Sequence, residues 1–339
     1  MKLSARSVIE SLMNRDKDEI DYLKKIVGRK FKSKIWSLIR AVLLIGLSFV
    51  LLYPLLYTLT MSIRFSEDLM DPLSMWIPKR LTAVNFIDAY TTMKYPQAVF
   101  NSIKFGLVSS VFQVVSCSLV GYGFARFRFK GNNILFALVL FTLFVPPQLI
   151  IVPSYLQFRY FDIFGIGSLA GLFTGEKLTI NLLDSVWTFY LPAMTGVGIR
   201  SGLFIFVFRQ FFRGMPRELQ ESAYIDGCNQ FKTYLKIMLP NAVPCIVTVA
   251  LFSIVWYWND FYYSAMYINQ SKTVSLALST LKIDYILVLQ NFNFSNTDPY
   301  DLITRVQAGV FLTLSPVLLL YLFLQRYFVE SIERTGIVG

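Results

Sequence analysis

Long apolar runs, nearly free of charge, recur along this chain of 339 residues and are separated by shorter polar stretches. A helix that crosses a bilayer needs about 20 mostly apolar residues. The pattern predicts six such helices, at about 41–61, 99–125, 134–156, 185–208, 240–259 and 306–325. Two of them carry one charge each, Lys104 and Arg200. Lys104 lies near a span end and can extend its ammonium to the interface. Arg200 lies deeper, where a charge is costly and functional by default; it can pair with a partner's acid, contact an anionic solute or reach the inner interface. The expected fold class is all-α, a polytopic membrane protein with one six-span domain over 41–339 and an arm over 1–40. The first span is not expected to be a cleaved signal, because its charged leader is forty residues long and no small-x-small site follows closely.

Composition agrees: 55% of the residues are apolar and 16% charged, where soluble domains carry about 25%. No histidine occurs, which excludes imidazole bases, His-ligated metals and Ser-His-Asp chemistry. Cys117, Cys228 and Cys245 are too scattered for a disulfide framework or thiolate metal site. The net charge of +11 reports topology. With both termini cytoplasmic, the inside segments hold 21 Lys and Arg against 9 outside, so positive-inside selects that orientation in a cytoplasmic (plasma) membrane. The arm over 1–40 reads as an amphipathic helix that weakens at Gly28, with Lys24, Lys25, Arg29, Lys30, Lys32 and Lys34 suited to anionic membrane lipid or to a solvated, topology-fixing role. Nothing beside it resembles a nucleic-acid-reading module.

The stretch 209–239, between the fourth and fifth spans, is the most specific. Pro216 suits the first turn of a helix; Leu219, Ser222 and Ala223 share one face; Asp226-Gly227 ends it with a left-handed cap. A second short helix with Phe231, Tyr234, Leu235 and Met238 leads to Pro240. Such a protrusion buries little and makes sense as a docking knob. Glu221-Ser222-Ala223, then Asp226-Gly227-Cys228, closing at Met238-Leu239-Pro240, resembles the signature loop of ATP-binding-cassette (ABC) importer permeases. Ser222 and Cys228 stand where that family usually has alanine, and both are small. The resemblance extends to Asn101-Ser102, to Gly121-Tyr122-Gly123-Phe124-Ala125-Arg126-Phe127-Arg128-Phe129-Lys130-Gly131, to Val145-Pro146-Pro147-Gln148, to Trp258-Asn259-Asp260-Phe261 and to the tail from Gln325-Arg326-Tyr327-Phe328-Val329 to Gly339. It covers about residues 40–339 and points to the second membrane subunit of maltose-type, carbohydrate-uptake permeases with a type I importer fold.

The resemblance implies a coupling helix that sits in a cleft of an ATPase subunit, with Glu218, Glu221, Ser222, Ala223, Asp226 and Gly227 as coupling residues. It also implies two cytoplasmic ABC ATPase subunits, a second and different permease, an external solute-binding protein and a sugar substrate. No Gly-x-x-x-x-Gly-Lys-Ser/Thr loop occurs, so no cofactor is expected on this chain, and ATP with Mg belongs to the partner. Residues expected along the pathway are Pro146, Pro147 and Gln148, where two adjacent prolines free backbone carbonyls near mid-membrane, and Thr195 beside Gly196 and Gly198. Trp256, Trp258, Asn259 and Asp260 complete the set, with flat apolar faces and fixed polar groups suited to a hydroxyl-rich solute. Each has a plainer reading as a packing kink, a packing face or an interfacial aromatic belt. The rival classes are a permease for a peptide, amino acid or phosphate, a stand-alone channel, and an intramembrane enzyme. The last lacks paired carboxylates or a metal constellation at membrane depth.

Overall fold

The computed structural model describes residues 5–71, 77–174, 178–291 and 299–336, and they are helical with only two isolated β-bridges, Arg64 to Leu81 and Phe161 to Ile180. The arm and the first span form one continuous helix, α1 (Ala5–Ser62). Gly28 does not interrupt it: one interior glycine costs only about 1 kcal/mol, less than a helix of this length can absorb. Met1–Ser4 lie outside the described residues. Two compact units divide the chain, Met1–Leu59 and Thr60–Gly339. The helical stretch Lys32–Ser62, which runs to the end of α1, is long and apolar enough to cross a membrane, and Leu43, Leu47 and Leu51 are all exposed.

The second unit, from Thr60, runs through a short segment to α2 (Val84–Thr92) and α3 (Tyr95–Ser102). A π turn over Ile103–Leu107 joins α3 to α4 (Val108–Arg126), so that Tyr95–Arg126 is one apolar helical run of spanning length. α5 (Asn132–Phe141) and α6 (Pro147–Arg159) follow, then α7 (Ile166–Thr174), α8 (Trp187–Met194) and α9 (Ser201–Gly214). α10 (Glu218–Ile225), α11 (Gln230–Thr233), a second π turn over Tyr234–Met238 and α12 (Leu239–Asn241) lead into α13 (Val243–Trp258). The chain closes with α14 (Tyr262–Tyr267), α15 (Val274–Asn291) and α16 (Pro299–Gly336). Ile337–Gly339, at the end of the tail motif, lie outside the described residues.

Two expected spans are not continuous. The run at 134–156 breaks at 142–146, because Pro146 (φ −65°, ψ 139°) is extended and Pro147 starts α6 at its first position. The run at 185–208 breaks at 195–200, where Gly196 (φ +74°) and Arg200 (φ +59°) are left-handed. Neither is a single helix of spanning length. Among the described residues three helices meet that length and apolarity, Lys32–Ser62, Tyr95–Arg126 and Tyr300–Phe323, or up to four if Gln230–Asn241 and Val243–Trp258, bent by 79°, count as one.

Glycines let the helices approach. Gly121 of α4 lies so near α9 that a Cβ there would stand 2.6 Å from the Phe208 Cβ. On the other side of α9, a Cβ at Gly202 would come within 2.5 Å of the Thr142 Oγ1 at the end of α5. Small residues at such crossings replace the hydrophobic drive that lipid does not supply. Around them Tyr122, Phe204, Phe208, Phe212, Tyr234 and Met238 form the largest buried cluster.

Candidate functional site

The segment after α9 is built by local backbone chemistry. Gly214 ends α9, and Met215 is extended. Pro216 precedes the next helix instead of entering its first turn: Arg217 is the N-cap of α10, and its carbonyl accepts from Gln220 N (2.9 Å) and Glu221 N (3.0 Å). Glu218 and Glu221 occupy the first turn, where the positive end of the helix dipole favours them. At the far end Gly227 is left-handed (φ +78°). Its N–H donates to the Tyr224 carbonyl (3.1 Å), and Cys228 N donates to the Ala223 carbonyl (2.9 Å). That pair of bonds is a Schellman cap, which satisfies two otherwise orphan carbonyls.

Ala223 is buried, unlike the other five expected coupling residues, Glu218, Glu221, Ser222, Asp226 and Gly227, which are exposed. Its small size therefore serves close packing of α10 on this chain. Ser222 does not face outward with a free hydroxyl either, since its Oγ donates to the Glu218 carbonyl (2.8 Å). Leu219 is exposed, and beside it stand two exposed apolar residues that the sequence did not single out, Tyr224 and, at 86% exposure, Ile225. An isolated isoleucine carries no pattern; the structure reveals it beside the capping glycine.

Two bonds tie this protrusion to α4. The Arg126 Nη2 donates to the Met215 carbonyl (2.8 Å), and the Tyr234 hydroxyl is paired with Ser118 Oγ (2.7 Å). Asn229 caps α11 by accepting from Lys232 N (2.8 Å). The bend into α13 falls at Ala242, two residues beyond the expected Pro240.

The break at 195–200 is closed by a distant side chain. Gln113, fully buried in α4, donates from Nε2 to the Ile199 carbonyl (2.6 Å) and to Ser201 Oγ (2.9 Å), while its Oε1 accepts from Ser253 Oγ of α13 (2.9 Å). Ser116 Oγ adds a bond to the Ala193 carbonyl (2.6 Å). Interrupted backbone at membrane depth must find such partners, because hydrocarbon offers none. Gln113 escaped the sequence reading; a lone amide in an apolar run was its only signal. Tyr257 of α13 packs its hydroxyl against Gly198, where a Cβ would lie 2.7 Å from it, and its Cβ against the π turn at Gly106.

The expected pathway residues separate into two groups. Trp258 is buried, with Nε1 donating to the Thr313 carbonyl of α16 (3.1 Å). Asp260 is also buried: it accepts from Ser264 N (2.8 Å), Ser264 Oγ (2.9 Å) and Tyr263 N (3.3 Å), so it caps α14. Their chemistry is spent inside the protein. Pro146, Gln148, Thr195, Trp256 and Asn259 are exposed and Pro147 half-buried. Thr195 Oγ1 donates to the Leu191 carbonyl (2.9 Å) and Asn259 Nδ2 to the Val255 carbonyl (3.0 Å). Trp256 carries the Arg200 guanidinium over its ring, 4.7 Å from the centroid. Arg200 thus turns toward the end of α13. Asn101 and Ser102 join α3 to the start of α15, where Asn101 Nδ2 donates to the Lys272 carbonyl (3.1 Å) and Ser102 Oγ accepts from Val274 N (2.8 Å).

The chain is helical, with helices long and apolar enough to cross a membrane and the short α10 between α9 and α13. Residues 118–334 match the binding-protein-dependent transport system inner membrane components, and the chain belongs to that family. Among its relatives is the arabinooligosaccharides transport system permease protein AraQ of Halalkalibacterium halodurans, 28% identical over 86% of this chain and 93% of that protein. The alpha-glucoside transport system permease protein AglG of Rhizobium meliloti is 26% identical over 77% of this chain and 62% of that one. The fold matches a chain from the crystal structure of a bacterial ABC transporter involved in the import of the acidic polysaccharide alginate: TM-score 0.66, 19% identity, 87% of this chain and 97% of that one.

Proposed function

We propose that this chain is one permease subunit of a binding-protein-dependent ABC importer that passes a sugar or oligosaccharide into the cytoplasm. In this reading six segments cross the membrane, two of them as broken helices, and both termini are cytoplasmic. The partners are a second, different permease, two ATPase subunits that bind ATP and Mg, and an external solute-binding protein. This chain supplies no catalytic group of its own. The single observation that carries the proposal is α10: a short helix, closed at its C-terminus by the Gly227 cap, that displays Glu218, Glu221, Leu219, Tyr224 and Ile225 to its surroundings. Ile225, 86% exposed beside the two acidic residues of a short helix, offers a partner an apolar contact. The relatives' names favour a sugar over the peptide, amino acid or phosphate readings.

Mechanistically, closure of the ATPase pair on ATP would displace α10. Arg126–Met215 and Tyr234–Ser118 would pass that displacement to α4, and Gln113 would carry it from α4 to the 195–200 break and α13. ATP and loaded binding protein each favour one state of a two-state equilibrium, so their effects are linked. The test is reconstitution of the chain with its permease, ATPase and binding-protein partners. ATP-driven saccharide import by the complex is expected; import by this chain alone would refute the proposal.

A further inference from the structure

Arg200 is absorbed by none of this. It sits at the junction of the α8–α9 break and α9 in a left-handed conformation, and its side chain is exposed. The ion pairs among the described residues use Lys79, Arg80, Lys272 and Arg305, never Arg200. Its guanidinium is held over Trp256, itself exposed. Trp256 lies two residues before the C-terminal end of α13. An exposed guanidinium that makes no ion pair among the described residues is open to an opposite charge supplied from outside the chain.

The surrounding chemistry selects among anions. A guanidinium over an aromatic face is held by cation–π attraction, and its in-plane N–H groups remain free to form a bidentate pair with a planar carboxylate. Asn259, one turn beyond Trp256, commits its Nδ2 to Val255 and keeps its amide oxygen for a hydroxyl donor. A carboxylate flanked by hydroxyls is the signature of a uronic acid.

We infer that Arg200, stacked on Trp256, is a binding site for the carboxylate of an acidic sugar, and that the imported saccharide carries uronate residues. The inference rests on the saccharide-importer reading. It is tested with the whole reconstituted complex and a panel of labelled di- to tetrasaccharides, neutral (arabinan, glucan, galactan) and uronate-bearing (galacturonan, mannuronan, glucuronoxylan). The expected result is import of carboxylate-bearing members, cut at least about tenfold by Arg200→Gln. Arg200→Lys, which keeps the charge but not the fork, should fall between. Import confined to neutral saccharides overturns the inference, as does acidic import within about twofold of wild type in Arg200→Gln. Loss of the second permease from the purified Arg200→Gln complex also overturns it, since Arg200 would then pair with that subunit's acid. Import of no saccharide at all brings down the importer reading itself.

Discussion

The segment 215–228 and the break at 195–200 are both short interruptions between helices, and they are stabilised in opposite ways. The first is exposed and closes on itself: Arg217 starts α10, and Gly227 and Cys228 return N–H groups to Tyr224 and Ala223. The second is largely open along its own length and is closed from behind by the buried Gln113, a residue 86 positions from the Ile199 carbonyl it satisfies. A self-contained turn can be pushed as a unit by a partner without losing its bonds. A turn held by another helix moves only with that helix. In the proposed importer the two would act together, with α10 as a stiff input and the 195–200 break as an output joined to it through α4.

The sharpest break of this comparison is Gly227→Pro. Proline fixes φ near −65° and has no N–H, so both the left-handed cap and its bond to Tyr224 are lost. Import should be abolished while the protein stays in the membrane, as read by uptake and by immunoblot of membrane fractions. Glu221→Lys, which reverses charge on an exposed first turn, should do the same. Normal transport by both would remove α10 from the coupling path. Next in size, Gln113→Leu leaves the Ile199 carbonyl and two serines without their partner, at roughly 1–3 kcal/mol for each buried polar group so stranded. The thermal midpoint of the detergent-solubilised protein should fall, and import with it. Gly121→Ala places a methyl 2.6 Å from the Phe208 Cβ and should cost about 1–3 kcal/mol, visible in the same melt. The smallest effect is expected at Asp260: Asp260→Asn keeps an oxygen for the α14 cap, so stability should drop by ~1 kcal/mol or less, with the KM for the transported sugar unchanged. A KM shift without a stability change would restore Asp260 to the pathway.

Legibility in the sequence followed the same division. The turn at Asp226-Gly227 was readable because its cause is local, a glycine that alone tolerates φ +78° without strain. The break at Pro146-Pro147 was readable as a bend for a similar reason, although its depth, enough to split the helix, was not. The apolar runs identified membrane helices but not the continuity of α1 through Gly28. Side-chain destinations inside the membrane were the least legible. Trp256 and Trp258 are two residues apart on one helix, yet one faces outward with Arg200 and the other bonds to Thr313. That difference depends on where α16 packs, a long-range fact with no local pattern. Ala223 illustrates the same limit, since a small residue on a helix gives no sign of which neighbour it approaches.

The central claim, that α10 is the element on which the motor acts, is most directly tested by site-directed crosslinking of Ile225→Cys in the assembled complex, with native Cys228 replaced by serine. The account predicts a crosslink to the ATPase subunit whose yield changes when ATP binds. Labelling of that cysteine from the external side of intact cells, with no ATPase adduct, would contradict it.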